Sequence, residues 1–272
     1  EAGDHAEAVF SNAYPSLFEH FRPYQDALVR RQDKGRFWWE LRSCAYWPEF
    51  DKPKIMYPEI TWRASWGLDV GATVCNNTAY FIASVDTWVL AAANSPAMWW
   101  FSWRTAVHGK DEALRFIKDF VRGLPIPPAT DDQCKGAAEN VRRIIEITAS
   151  QQAARRTILD WLRVEYEIAK PTLKLQSPID LDSDGFVGEV KKVRGKKKPL
   201  TAAGLKALRD EYARSLEPAR KLAAEAVKLE HELSDLVNAA YGLTPDEIAL
   251  MWKTAPPRMP IAASLAIAGP LS

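Results

Sequence analysis

Apolar residues recur at intervals of three and four along three stretches of the chain, and each stretch predicts a helix. In the first, Leu17, Phe18, Phe21, Tyr24 and Leu28 fall on one face between Tyr14 and Gln32. Pro15 suits a first turn, and Pro23 is placed to split the segment. The second runs over residues 133–169, with Val141, Ile144, Thr148, Ile158, Leu162 and Tyr166 close to heptad phase and Pro171 as its stop. The third is the most regular. Leu205, Leu208, Tyr212, Ser215, Ala219, Leu222, Ala226, Leu229, Leu233, Leu236 and Ala240 alternate three and four apart, with Pro218 predicting a kink or restart near Glu217. A seam of that length must be covered. Pairing with the 133–169 helix would give an antiparallel hairpin roughly 50 Å long; dimerisation through the seam is the rival.

Between the first helix and position 128 the pattern is shorter in wavelength. Strand candidates stand at 55–57, 60–62, 73–75 and 79–82, punctuated by Gly67, Gly71, Asn76 and Asn77. Helices are predicted from Val85 or Thr87 to Ala93 and from Pro96 to Trp103, and 111–122 is amphipathic. Residues 1–13 read as a surface lead-in. The run Gly123-Leu124-Pro125-Ile126-Pro127-Pro128 is a hard stop. Nine of the eleven tryptophans precede residue 104, so composition changes there as well. The fold class expected is α+β: a mixed domain over residues 1–128, then a helical spacer or docking domain over 129–272, with a long hairpin and a short terminal helix.

Charge matters through its placement. The net charge is +1, but cations gather over 30–54 and 191–198. The stretch 30–60 interleaves Arg30, Arg31, Lys34, Arg36, Arg42, Lys52 and Lys54 with Phe37, Trp38, Trp39, Tyr46 and Trp47. Arginine and lysine contact phosphates and guanine edges, asparagine and glutamine pair with adenine, and aromatics brace them. A Trp-rich core with a solvated basic rim is the alternative, and a helix C-terminus by itself favours Arg30 and Arg31. Arg36 and Arg42 could also pair with Glu40 or Glu49 in a structural network.

Three cysteines, Cys44, Cys75 and Cys134, stand far apart with no C-x-x-C pair, which disfavours a disulfide framework or zinc site and fits a cytoplasmic location. No apolar run reaches roughly 18 residues, so no membrane partner is expected. The opening at Glu1, without Met, reads as a piece of a longer polypeptide. Asp180-Leu181-Asp182-Ser183-Asp184-Gly185 starts like a calcium loop, but Lys191 occupies the closing position, so Asp182 or Asp184 as a helix cap is the better reading. Asp184 with Glu189 and Lys191 loosely imitates a nuclease cluster in a helical setting. The run Lys191, Lys192, Arg194, Lys196, Lys197, Lys198 is either a solvated loop or a phosphate contact. The histidines (His5, His20, His108, His231) stand beside no plausible nucleophile. No catalytic residue, metal ligand or cofactor site is assigned within this chain.

The order of motifs carries a resemblance. It runs through Arg31-Gln32-Asp33-Lys34-Gly35, Trp38-Trp39-Glu40-Leu41-Arg42 and Lys52-Pro53-Lys54-Ile55-Met56-Tyr57-Pro58-Glu59-Ile60. It continues through Asn77-Thr78-Ala79-Tyr80-Phe81-Ile82, the segment from Leu90 to Asn94-Ser95, and Leu124-Pro125-Ile126-Pro127. Residues 14–128 resemble the TaqI-like C-terminal specificity domain of adenine-N6 DNA methyltransferases, especially type IIG restriction-modification enzymes. The later stretches, 241–247 and 252–258, look like the helical end of the same polypeptides. The resemblance implies sequence-specific recognition of double-stranded DNA for a methyltransferase domain on the same polypeptide or a separate subunit. S-adenosylmethionine, with Mg2+ as a second candidate, would belong to that parent enzyme. The Asn-Pro-Pro-Tyr/Phe motif and the Gly-rich cofactor motif are absent here, so no methyltransferase activity is assigned to this chain. A helical module that docks another subunit, with DNA contact incidental, is the alternative function. Candidate DNA-binding residues are Arg30, Arg31, Gln32, Lys34, Arg36, Arg42, Lys52 and Lys54, then Asn76, Asn77, Arg104 and Lys110 from loops, and Lys192, Arg194, Lys196 and Lys197 from the basic run.

Overall fold

A computed structural model describes residues 2–71, 73–195 and 199–261. The fold is α+β, with small antiparallel sheets and a long C-terminal helical hairpin. The chain divides into two compact units, residues 1–52 with 71–73, and residues 53–70 with 74–272.

The first unit is helical. Helix α1 spans Ala2–Ala13, α2 Pro15–Phe21 and α3 Gln25–Arg30, with a 3-10 turn at Arg22–Tyr24 where Pro23 lacks the N–H that a continuous helix needs. The expected surface lead-in is therefore a helix, and it has a use. Phe10 on α1 stacks on Trp39 at 5.0 Å, and Phe37 stacks on Trp39 at 4.9 Å. Trp38 stands edge-on to Trp39 and its indole N–H donates to Glu7. The expected apolar face of α2 and α3 is shallow, since Leu17 and Tyr24 are exposed.

The second unit begins with β1, Lys54–Pro58, the centre of a three-stranded antiparallel sheet between β3, Gly67–Asp69, and β4, Ala79–Ile82. A second small sheet joins β2, Ile60–Thr61, to β6, Leu114–Arg115, and β6 to β5, Val107–His108. The strand expected at 73–75 does not form, whereas Gly67–Asp69, whose glycine was read only as punctuation, pairs with β1. Two helices follow, α4 over Thr87–Asn94 and α5 over Pro96–Thr105. Asp86 caps α4, and Ser95 caps α5. The amphipathic 111–122 stretch is broken into a 3-10 turn, β6 and helix α6, Lys118–Arg122.

Helix α7, Asp131–Glu165, starts with a capping box between Thr130 and Gln133. Its partner is α10, Glu217–Tyr241. The hydrogen bonds that join them run in opposite sequence order: Gln133 to the Leu236 carbonyl, Asn140 to Glu232, Arg143 to Glu225 and Gln151 to the Ala219 carbonyl. Helices α8, Ser183–Arg194, and α9, Ala202–Glu211, fill the turn of the hairpin, and α11, Pro245–Lys253, follows it. A π-helical turn at Tyr212–Leu216 joins α9 to α10, with the Glu217 N–H donating to the Tyr212 carbonyl. This is the restart expected near Glu217. The wider turn makes room for Pro218, and within it Leu216 rather than Ser215 is fully buried before the seam resumes at Ala219.

Two apolar cores result. One gathers Ile55, Tyr57, Trp66, Trp88, Leu90, Trp99, Leu114 and Phe116 with Ala137, Val141, Leu233 and Val237 of the hairpin, so the packing is continuous across position 128. The other lies at the hairpin's far end and contains Ile158, Leu162, Phe186, Val190, Leu208 and Leu216. Among the described residues, no helix is long and apolar enough to cross a membrane.

Candidate nucleic-acid interface

Arg31, Lys34, Arg36 and Arg42 of the first unit follow one another along the loop that leaves α3, and Arg30 ends the helix. Arg31 leaves the end of α3 in an extended conformation. Its guanidinium donates to the Glu40 carbonyl, which also accepts from the Gly35 N–H at 3.1 Å. Lys34 and Leu41 form an antiparallel bridge, and the Glu40 carboxylate accepts from the Phe37 N–H at 3.0 Å. Gly35 is required by close approach, because a Cβ there would lie 2.5 Å from the Leu41 carbonyl oxygen. Residues 31–41 thus form a tied loop held beside the Phe10–Trp39–Phe37 stack.

Gln32, Arg36 and Arg42 project from this loop and are exposed. The Arg36 guanidinium lies 5.3 Å from the Phe37 ring centroid, and Arg42 is 3.7 Å from Asp33 with both side chains in solvent. Neither arginine pairs with Glu40 or Glu49 as the structural alternative supposed; Glu40 serves the loop backbone and Glu49 pairs with Lys52 at 2.7 Å. Arg30 donates to the Asp26 carbonyl at 3.2 Å and Lys34 to the Val29 carbonyl, so both close the end of α3 while staying exposed. Arg31 is a brace more than a reader, since it is half-buried and its Nε is buried with no hydrogen-bond partner among the described residues.

Several candidates in the second unit are spent on structure. Lys54 has no exposed surface, and its ammonium sits 2.5 Å from Asp69 across the β1–β3 pair. It cannot present its charge to a phosphate, and the expectation is corrected: a buried cation at the start of the central strand is held because an acid on the next strand meets it. Arg104 lies 3.7 Å over Trp100 and donates to the Thr254 carbonyl, so it ties α5 to the end of α11. Asn76 folds into an Asx turn, accepting from the Thr78 N–H and hydroxyl. Asn77 and Lys110 remain exposed. In the basic run, Arg194 donates to the Tyr166 carbonyl and lies over that ring, and Lys192 is 3.6 Å from Glu189. Lys196, Lys197 and Lys198 lie outside the described residues.

The calcium and nuclease imitations fail on geometry. Residues 183–194 are helix α8, capped by Asp182, which accepts from the Gly185 N–H at 2.7 Å. Asp184 and Glu189 stand five residues apart on that helix and so face different directions. Asp184 meets Arg209 at 3.0 Å, and Glu189 accepts from the Thr172 hydroxyl at 2.6 Å, which lowers its pKa below the ordinary carboxylate range. Among the described residues, no cluster of three His, Cys, Asp or Glu side chains could hold a metal.

Two arginines that sequence reading passed over are also exposed, Arg63 after β2 and Arg258 after α11. Neither side chain has an ion-pair or hydrogen-bond partner among the described residues. Each stands alone in sequence, away from the basic clusters, so charge density gave no signal.

Residues 130–237 match a family model described as a domain of unknown function (DUF8810). The match opens on the N-cap of α7 and closes within α10, so it covers the hairpin and leaves out the tied loop. Neither the curated proteins nor the solved structures yield a match.

Proposed function

We propose that this chain recognises a specific sequence in double-stranded DNA, as the specificity module of an adenine-N6 DNA methyltransferase or type IIG restriction-modification enzyme. The observation that carries the reading is the tied 31–41 loop. Backbone bonds and the Arg31 brace fix its course, and Gln32, Arg36 and Arg42 are left in solvent. Base readout needs amide and guanidinium groups held on a fixed backbone, since a mobile side chain gives up its ordering entropy on binding. Lys34 in the loop, Arg30 at the end of α3 and the exposed Lys52 suit phosphate contacts. The resemblance of residues 14–128 supports the same reading. Catalysis, S-adenosylmethionine and any Mg2+ belong on this reading to a separate methyltransferase domain in the cytoplasm.

Docking of another subunit by the hairpin is less well supported. Its a/d seam is already occupied: Leu208, Tyr212, Leu216, Ala219 and Leu233 are buried within the chain itself.

Selection of duplexes from a random-sequence library by the purified chain should enrich a consensus. The variant Q32A/R36A/R42A should lose that consensus and bind about tenfold or more weakly to it. Lys52→Ala should weaken all duplexes alike and flatten the salt dependence by about one phosphate contact. A library that emerges without enrichment, or a triple variant that keeps the wild-type consensus, would sink the proposal.

A further inference from the structure

The second unit contains a cleft of 850 Å³, lined by Trp66, Leu90, Val141, Ile144 and Leu233 together with Met259 and Ile261. Its size lies within the range of small-molecule sites, roughly 300–1,000 Å³. Its walls are held in place. The Asn94 side-chain amide accepts from the Trp66 N–H and donates to the Trp66 carbonyl, each at 3.0 Å, fixing the loop before β3 onto the end of α4. The Thr61 and Ser65 hydroxyls donate to the Arg63 carbonyl, fixing the turn that carries Arg63. The Trp99 indole donates to the Pro257 carbonyl at 3.0 Å, anchoring the segment that carries Arg258. Met259 and Ile261 on that segment are buried. Arg258 and Ile261 both have positive φ, 57° and 71°, a conformation that a branched side chain such as isoleucine rarely adopts. Strain of this kind persists where surrounding structure enforces it and gathers at ligand clamps.

The charges of the cleft are uneven. Arg63 and Arg258 line it and are exposed, without partners among the described residues. Glu230 also lines it and is half-buried, and burial raises its pKa above the usual carboxylate range. The apolar wall therefore disfavours a carboxylate charge, while two cations at the surface meet no counter-ion among the described residues. We propose that this cleft binds an amphipathic organic anion, its apolar body against Leu90, Val141 and Leu233 and its anionic group at Arg63 and Arg258. The site is independent of the tied loop, so the outcome bears on neither the loop nor DNA recognition.

The probes are 1-anilinonaphthalene-8-sulfonate and its uncharged relative N-phenyl-1-naphthylamine, titrated by fluorescence into the full chain. Both should saturate at one molecule per chain. Arg63→Ala with Arg258→Ala should weaken the sulfonate by about tenfold or more and move the neutral probe by less than twofold. Ala149→Trp, at an exposed α7 position on the cleft wall, should exclude both probes while the circular dichroism spectrum and melting temperature hold. Glu230→Gln should not weaken the sulfonate. Failure of either probe to saturate, an arginine pair that leaves sulfonate affinity unchanged, or an A149W variant that still binds both probes would overturn the proposal. A loss of sulfonate binding in E230Q as large as in the arginine pair would overturn the anionic assignment.

Discussion

Lys54 shows how much a single side chain's meaning depends on its cross-strand neighbour. Its ammonium has no exposed surface and meets the carboxylate of Asp69, whose side chain is 16% exposed. Such a pair does little for stability when compared with apolar packing, but breaking it strands a buried charge. Lys54→Ala should therefore cost about 3–5 kcal/mol, read as a lowered urea midpoint, and K54M/D69L should recover most of it. Glu230 makes the opposite kind of prediction. Burial raises its pKa, with the nearby His231 opposing the shift in part. The folded state then holds the proton more tightly than the unfolded chain. Stability is greatest below the ordinary carboxylate range and falls as pH rises through it towards the raised value. Glu230→Gln should remove that fall. The variant should melt higher than wild type at pH 7 and level with it at about pH 3, where Glu230 is protonated in the folded and the unfolded chain alike.

The hairpin is an element with two ends that answer to different cores. Its near end is covered by α4 and by the packing around Trp88, and its far end by α8 and α9. Between them, α7 passes through Ser150, Gln151, Gln152, Arg155 and Arg156, where few side chains are buried. Truncating Leu162, fully buried at the far end, should cost about 2–5 kcal/mol through transfer and cavity terms. Hydrogen exchange should locate the damage: amides of α8 and α9 should lose protection, and those of α4 should keep theirs. Equal loss in α4 would mean that the two cores unfold as one.

At the scale of the molecule, the two compact units differ sharply in depth of core. Among the described residues of the first unit, Phe50 is the one buried apolar side chain, and the remaining apolar packing is half-buried, with the stack of Phe10, Trp39 and Phe37 at its centre. A unit of that size buries too small a share of its surface to be more than marginal. Removing the middle ring should expose this. Trp39→Ala should abolish amide protection across residues 2–52, together with any duplex binding through the tied loop, while protection in β1, α4 and α7 persists. The aromatic stack and the DNA-facing loop would then be one cooperative piece.

Local pattern was enough for much of this. The three-four spacing of Val141, Ile158, Leu162, Leu208 and Leu233 specified a long helical pair, because a helix must bury the stripe that its sequence presents. Pro23 and Pro218 specified breaks, because proline lacks an N–H and crowds the preceding turn. Asp182 specified a cap. The α+β class followed from short, turn-bounded apolar runs placed before long periodic ones. Tertiary structure decided which charges are free. Lys54 and Arg31 read in sequence as part of one basic stretch and Arg104 as a loop candidate, yet each is met by an acid or a backbone carbonyl. Arg63 and Arg258 stand alone in sequence, and the fold lines one cleft with both. A hydrophobic period records which face a segment must hide. It carries no record of what arrives to cover that face, and the cleft, the aromatic stack and the pairing of charges all depend on that arrival.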